Sequence, residues 1–179
     1  MIFESAYWKE DLLRRSSLLG RYMVLKHWSG ASFAKCEQAV MIGFYSIRKL
    51  VEAKKLTDAL VKEPVSLRRY PSKGSPVTRL NRHKVEELYH LDSPERHDLP
   101  LMDLCHQFVH SYIFIPVLDE GNGLSAIWIA SDRQRSRALF DLDVKTVIGI
   151  FEIVGRDEVR SMRATFDAVL ADYRIENHP

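Results

Sequence analysis

One apolar stripe constrains this chain more than any other feature. Ser32 is placed to cap a helix running to about residue 61, where Pro64, lacking a backbone N–H, stops it. Stepping about 100° per residue brings Phe33, Cys36, Val40, Phe44, Ile47 and Val51 onto one narrow side. A helix patterned this way is a core helix, and the rest of the chain must pack around it. The 179 residues, 46% hydrophobic and 28% charged, supply enough apolar material for that core. They also exclude a disordered acidic or basic tail.

The stretch before the core helix, 4–27, reads as a second helix. Trp8, Leu12, Leu19, Tyr22 and Met23 share a side, while Lys9, Glu10, Arg14 and Arg21 keep other sides wet, and Ser29-Gly30 ends it. From 64 to 100 the chain is punctuated by Pro64, Pro71, Gly74, Pro76, Pro94 and Pro100, which leaves room only for a short strand at 65–70 and a short helix at 82–90. A third helix is expected over 99–110, with Leu101, Leu104, Cys105 and Phe108 at i, i+3, i+4 and i+7.

The period then switches. Residues 111–118 and 124–130 form a hairpin around Gly121-Asn122-Gly123, and a turn at 132–135 leads into a strand at 137–141. Helices over 143–154 and 157–173 follow, with Gly155 between them as a stop. The expectation is a single α+β domain over 1–179, mostly helical: a helical bundle with a small antiparallel β-meander. Its parts are a helical core (4–61 and 99–110), a Pro-rich basic loop region (64–100), the meander (111–141) and C-terminal helices (143–173).

The first nine residues include Glu4 and lack a basic stretch followed by an apolar run, so no secretory signal is expected. No window of about 18 uncharged apolar residues occurs, which argues against a membrane span. Two cysteines, Cys36 and Cys105, are too few for a disulfide scaffold. The cytoplasm, with both thiols free, is the expected location.

Chemistry concentrates on the third helix. His106 and His110, at i and i+4, have the spacing of a helical zinc site. The position after His106 is Gln107, however, which cannot act as a general base, and no third ligand is evident, so no metal and no other cofactor is expected. Asp103, His106 and His110 lie opposite the Leu101/Leu104/Cys105/Phe108 stripe. Such a trio suits general acid–base work, because histidine titrates near neutrality. It also serves simply as a wet helix face.

A polar residue four before a histidine, on a short helix packed against a long one, resembles the HEPN family (higher eukaryotes and prokaryotes nucleotide-binding). His110 matches the family histidine and His106 its polar position. The segment Phe44-Tyr45-Ser46-Ile47-Arg48-Lys49-Leu50 is similar to the family's long core helix. The resemblance covers 31–60 and 99–112. It implies a helical bundle, often dimeric, and a metal-independent ribonuclease of a defence or toxin–antitoxin system. Cys105 stands where the family has arginine, so Arg48 or a partner chain would have to supply the phosphate-binding cation. Arg48 also has Glu52 one turn on, an i,i+4 ion pair.

The net charge of +2 hides one local imbalance: residues 68–84 hold six Lys/Arg and no acid. Arg68, Arg69, Lys73, Arg79, Arg82 and Lys84 would neutralise phosphates and Tyr70 would stack a base. Arg133, Arg135 and Arg137 extend the patch, although Glu86, Glu87 and Asp92 follow closely. Asp141-Leu142-Asp143 has the DxD form of a haloacid-dehalogenase phosphatase but lacks that chemistry's later partners, and neither GxGxxG nor GxxxxGK[ST] occurs. The expected function is RNA or nucleotide binding, with metal-independent cleavage by His110 assisted by His106, Asp103 and Arg48. The alternative is a non-catalytic, homo-oligomeric interaction domain that docks a protein partner on an edge of the meander, 112–118 or 137–141, or on an apolar helix face.

Overall fold

Ser29, not Ser32, caps the core helix. Its Oγ accepts the backbone N–H of Ser32 at 3.2 Å, while its own backbone is extended. In the computed structural model, which describes residues 2–169 and 171–179, this helix is α2, Gly30–Glu52, preceded by α1, Ala6–Tyr22. Cys36, Val40, Phe44, Ile47 and Val51 are buried as the stripe requires. Phe33 is not: it is 39% exposed and packs on Trp28, with ring centroids 4.6 Å apart.

The core helix ends nine residues sooner than expected. Lys54 takes a positive φ of 55°, and Lys55 N–H bonds back to the Leu50 carbonyl at 2.9 Å. Distant residues hold the break open. The Asn177 amide donates to the carbonyls of Lys54 and Leu56, and Asp157 accepts from the Thr57 N–H and hydroxyl at 3.0 and 2.6 Å. A short α3, Asp58–Lys62, follows.

The expected helical bundle is overturned by the sheet. Helix accounts for 40% of the chain and strand for 29%, because the Pro-rich segment contributes two strands. Strand β1 is Pro64–Pro71 and β2 is Glu95–Pro100, with α4, Val85–Leu88, between them. Helix α5, Leu101–Val109, starts directly after β2 rather than at 99. Strands β3 (Ser111–Leu118), β4 (Leu124–Ser131) and β5 (Ala138–Asp143) form the expected meander. Pairing of β5 with β1 closes one antiparallel sheet of order β2-β1-β5-β4-β3. Prolines are tolerated because Pro64, Pro71 and Pro100 sit at strand ends and Pro116 on the edge strand β3.

One face of this sheet, through Leu67, Ile127, Ile129, Phe140 and Leu142, packs on the helices. The other, through Tyr70, Ala130 and Leu139, is covered by Val77, Val85, Leu88 and Tyr89 of the β1–β2 connection. Helix α6, Val144–Arg156, packs between α1 and the sheet. Gly155 lies inside it and is a contact point rather than a stop, since a Cβ there would press on Leu13. The helix expected over 157–173, which crosses Leu170 outside the described residues, is instead strand. Strands β6 (Ser161–Asp167) and β7 (Asp172–His178) form a separate antiparallel ribbon. Strict alternation of Met162, Ala164 and Phe166 with Arg163, Thr165 and Asp167 is the physical reason. Among the described residues no helix is long and apolar enough to cross a membrane.

Helices α2 and α6 approach closely at Gly43, where a Cβ would overlap the fully buried Phe151 ring. Gly43→Ala is therefore expected to destabilise the fold by about 1–3 kcal/mol. Gly149→Ala, with nothing within 4 Å of its Cβ, is expected to stabilise α6 by roughly 0.5–1 kcal/mol. Thermal denaturation of both variants checks the opposite signs.

Candidate active site

Helix α5 buries Leu101, Leu104, Cys105 and Phe108 against the core, which turns Asp103, His106 and His110 outward. Those three residues form one wall of a cleft of about 500 Å³; the turn between β4 and β5, with Asp132, Arg133 and Gln134, forms the other. Two hydrogen bonds fix the separation of the walls. Gln107, buried beside the histidines, accepts from the Ser131 N–H at 3.3 Å, and the His110 carbonyl accepts from the Asp132 N–H at 3.0 Å. A cleft of this size lies in the usual range for small-ligand sites.

The two imidazoles have centroids 6.3 Å apart and are tilted by 50°. His106 Nδ1 stands 3.8 Å from Asp103 Oδ1, within ion-pair range but too far for a hydrogen bond. His110, the residue capping α5, meets Arg48 of α2: Nη1 lies 3.5 Å from Nε2. When Nε2 accepts from the guanidinium, the proton of the neutral ring sits on Nδ1. Arg48 also forms the ion pair within its own helix, with Nε 2.7 Å from Glu52 Oε1, while Lys49 reaches Oε2 at 2.8 Å. Hydrogen bonds from Lys49 and Arg48 hold the Glu52 carboxyl down to about 2. Arg48 is thus positioned by an anion that stays ionised wherever histidine titrates.

Arg133 is the residue that sequence reasoning weighed only as an extension of the basic segment. It is exposed on the far wall and has no carboxylate partner among the described residues. Nothing local in the sequence marks it, because its placement depends on the β4–β5 turn folding across α5. Its neighbour Arg135 is structural: it stacks on Tyr112 at 3.9 Å, donates to the Val77 carbonyl at 2.6 Å and pairs with Asp132 at 3.2 Å.

The basic segment does not assemble into one surface. Arg68 and Arg69 lie on β1 with opposite orientations, Arg68 pairing with Asp141 at 2.9 Å and Arg69 with Glu95. Tyr70 is 7% exposed and donates its hydroxyl to Asp141 at 2.9 Å, so it offers no ring face to a base. Burial, then the Asp141 bond, raises its phenol above the ordinary value. Lys73 donates to the Glu86 carbonyl, Arg82 to the Tyr112 carbonyl, and Lys84 pairs with Glu87. Arg79 is exposed.

Cys36 and Cys105 are free, fully buried thiols, each pushed up to about 12 by burial. Cys105 therefore contributes packing and no nucleophile. Among the described residues no group of three or more His, Cys, Asp or Glu is arranged to hold a metal ion. No family model, no curated protein and no solved structure matches this chain.

The thiols provide a direct check on this side of α5. In the folded protein at about pH 8 both are expected to resist a thiol-reactive disulfide reagent, and both are expected to react once the chain is unfolded in guanidinium chloride. Fast native labelling of Cys105 would mean that the α5 stripe is not seated as described.

Proposed function

We propose that the α5 cleft binds an RNA phosphodiester and cleaves it without a metal ion, by activating the 2′-hydroxyl. The observation that carries this reading is the pairing of two neighbouring imidazoles with a cation at either side, Arg48 behind His110 and Arg133 on the opposite wall. Transesterification requires one base, one acid and stabilisation of charge on the phosphoryl oxygens.

In this reading the Arg48 guanidinium leaves Nε2 of His110 for the phosphate as RNA enters, and the freed Nε2 takes the proton from the 2′-hydroxyl as its oxygen attacks phosphorus. Protonated His106, with the Asp103 carboxylate nearby to favour its charge, gives a proton to the departing 5′-oxygen. Bond formation and bond cleavage then balance, leaving a 2′,3′-cyclic phosphate and a 5′-hydroxyl. Arg133 and Arg48 face the charge that develops on the non-bridging oxygens, the role for which a planar guanidinium suits phosphate. Arg68 and Arg69 are committed to Asp141 and Glu95, so Arg133 in the cleft and Arg48 beside His110 carry this reading in place of the basic segment.

Cleavage of a labelled oligoribonucleotide in the presence of a chelator tests it. His110→Ala and His106→Ala are each expected to slow cleavage by about 10²–10⁴-fold, and the wild-type rate is expected to be bell-shaped in pH. Binding is expected to weaken steeply with salt, and Arg133→Ala to lower the salt slope by about one unit. The double change of Arg68 and Arg69 to Ala is expected to do less than Arg133→Ala. A His110→Ala variant that cleaves at the wild-type rate overturns the mechanism. Wild-type protein that neither binds nor cleaves RNA leaves the non-catalytic interaction domain as the better reading.

A further inference from the structure

The C-terminal ribbon is amphipathic, and one of its long edges is bare. In the β6–β7 register Met162 faces Asn177, Ala164 faces Ile175 and Phe166 faces Tyr173, which puts the apolar residues on one side. Arg163, Thr165 and Asp167 share the other side with Glu176, Arg174 and Asp172. The apolar side is uncovered: Met162 is 62% exposed and Phe166 and Tyr173 are each 59% exposed. Every residue of β6 from Ser161 to Phe166 is exposed, and the packing of this strand is chiefly against β7. The base of the ribbon is fastened by Asn177, whose amide bonds to the Lys54 and Leu56 carbonyls on the body of the protein, and β7 also packs against α3. A two-stranded ribbon is marginal in water, and its stability calls for more strands along the free edge.

We propose that β6 pairs with β6 of a second copy of this chain, about a twofold axis through Thr165, joining two ribbons into a four-stranded antiparallel sheet. The choice of partner rests on self-complementarity. Only registers that set residues of like parity opposite one another keep both apolar sides on the same face. An axis through Arg163 would set two guanidinium groups against each other, and axes through Ala164 or Phe166 leave the charges opposite neutral residues. The axis through Thr165 places each Arg163 opposite Asp167 of the second copy, twice over, and each Ala164 beside Phe166. Asp167 is already engaged, bridging to Arg174 across its own ribbon and accepting the Val169 N–H with its side chain 11% exposed, so the second copy's Arg163 joins an existing network rather than a free carboxylate. The sides of Phe166 and Met162 that a lone ribbon leaves in water become neighbours of the second copy's strand. This assembly does not depend on the chemistry of the α5 cleft.

Residues at the axis stand directly opposite their own copies, at a Cα separation of roughly 4.5–5.5 Å that a disulfide spans. In the full-length protein Thr165→Cys is expected to form a covalent dimer under mild oxidation, without interference from the buried native thiols. Ser161→Cys, displaced from the axis, is expected to remain uncrosslinked. Thr165→Glu is the complementary variant. Within one ribbon it faces Arg174 and keeps the hairpin intact; between copies it opposes two carboxylates. Sedimentation velocity is expected to show a wild-type dimer whose dissociation constant rises at least tenfold in Thr165→Glu, with unchanged circular dichroism. A wild-type chain that stays monomeric at about 100 μM overturns the proposal. So does a dimer that ignores Thr165→Glu and does not crosslink through the Thr165→Cys variant, since its interface then lies elsewhere.

Discussion

Everything near the candidate site hangs on the ring of Phe44. It stacks on Phe108 of α5 with centroids 3.9 Å apart and planes within 3°, and meets Phe151 of α6 edge-on at 5.3 Å. Three helices are thereby referred to one fully buried side chain. Gly43, next to it, removes the Cβ that would hold α6 away. Aromatic pairs of this kind contribute about 0.5–1.5 kcal/mol beyond the area they bury. Their larger consequence here is rotational. With Phe108 fixed inward, α5 cannot turn about its axis, and His106 and His110 have only one direction in which to point.

The sheet supplies the other half of the cleft and also consumes most of the chain's conspicuous charge. Arg68 and Tyr70 converge on Oδ2 of Asp141, a carboxylate 3% exposed on the central strand β5. Arg69, Lys84 and Arg135 likewise have anionic partners. A cation held by a carboxylate on the same surface presents little net field to a phosphate, so position matters more than number. Arg48 differs because its ion pair leaves a guanidinium nitrogen beside His110, and Arg133 differs because no acid among the described residues pairs with it. In the cleft Arg133 and the two imidazoles stand together with the carboxylates of Asp103 and Asp132.

Much of the frame was legible because it rests on local periodicity. The α2 and α5 stripes, the β3–β4 hairpin and strand β5 all follow from spacing and turn chemistry, and the exposure of Asp103, His106 and His110 follows from the same wheel. The ribbon at 161–178 carried an equally clear signal in its alternation, but a helical reading of 157–173 passed over it. Other features had no local signal. Lys54 is an unremarkable residue to find at a positive φ, and the end of α2 becomes intelligible only through Asn177 and Asp157, more than a hundred residues away. Strand β2 contains His97 and Asp98 among charged neighbours and gains its strand character from pairing with β1.

The sequence alone determined which faces are buried, since a 3.6-residue or two-residue period leaves an apolar side no alternative to a core. It thereby fixed the two histidines on an outer helix face and Cys105 on an inner one. Tertiary structure alone decided what stands opposite them. Pairing between β1 and β5 turned a small meander into a five-stranded sheet and drew Arg68, Arg69 and Tyr70 away from any common surface. The β4–β5 turn brought Arg133 across the cleft, and α2 brought Arg48 against His110. Arg48 and His110 are 62 positions apart and the β1–β5 partners 67 to 73; such contacts are set by how whole elements pack, and periodicity within one element carries no record of them.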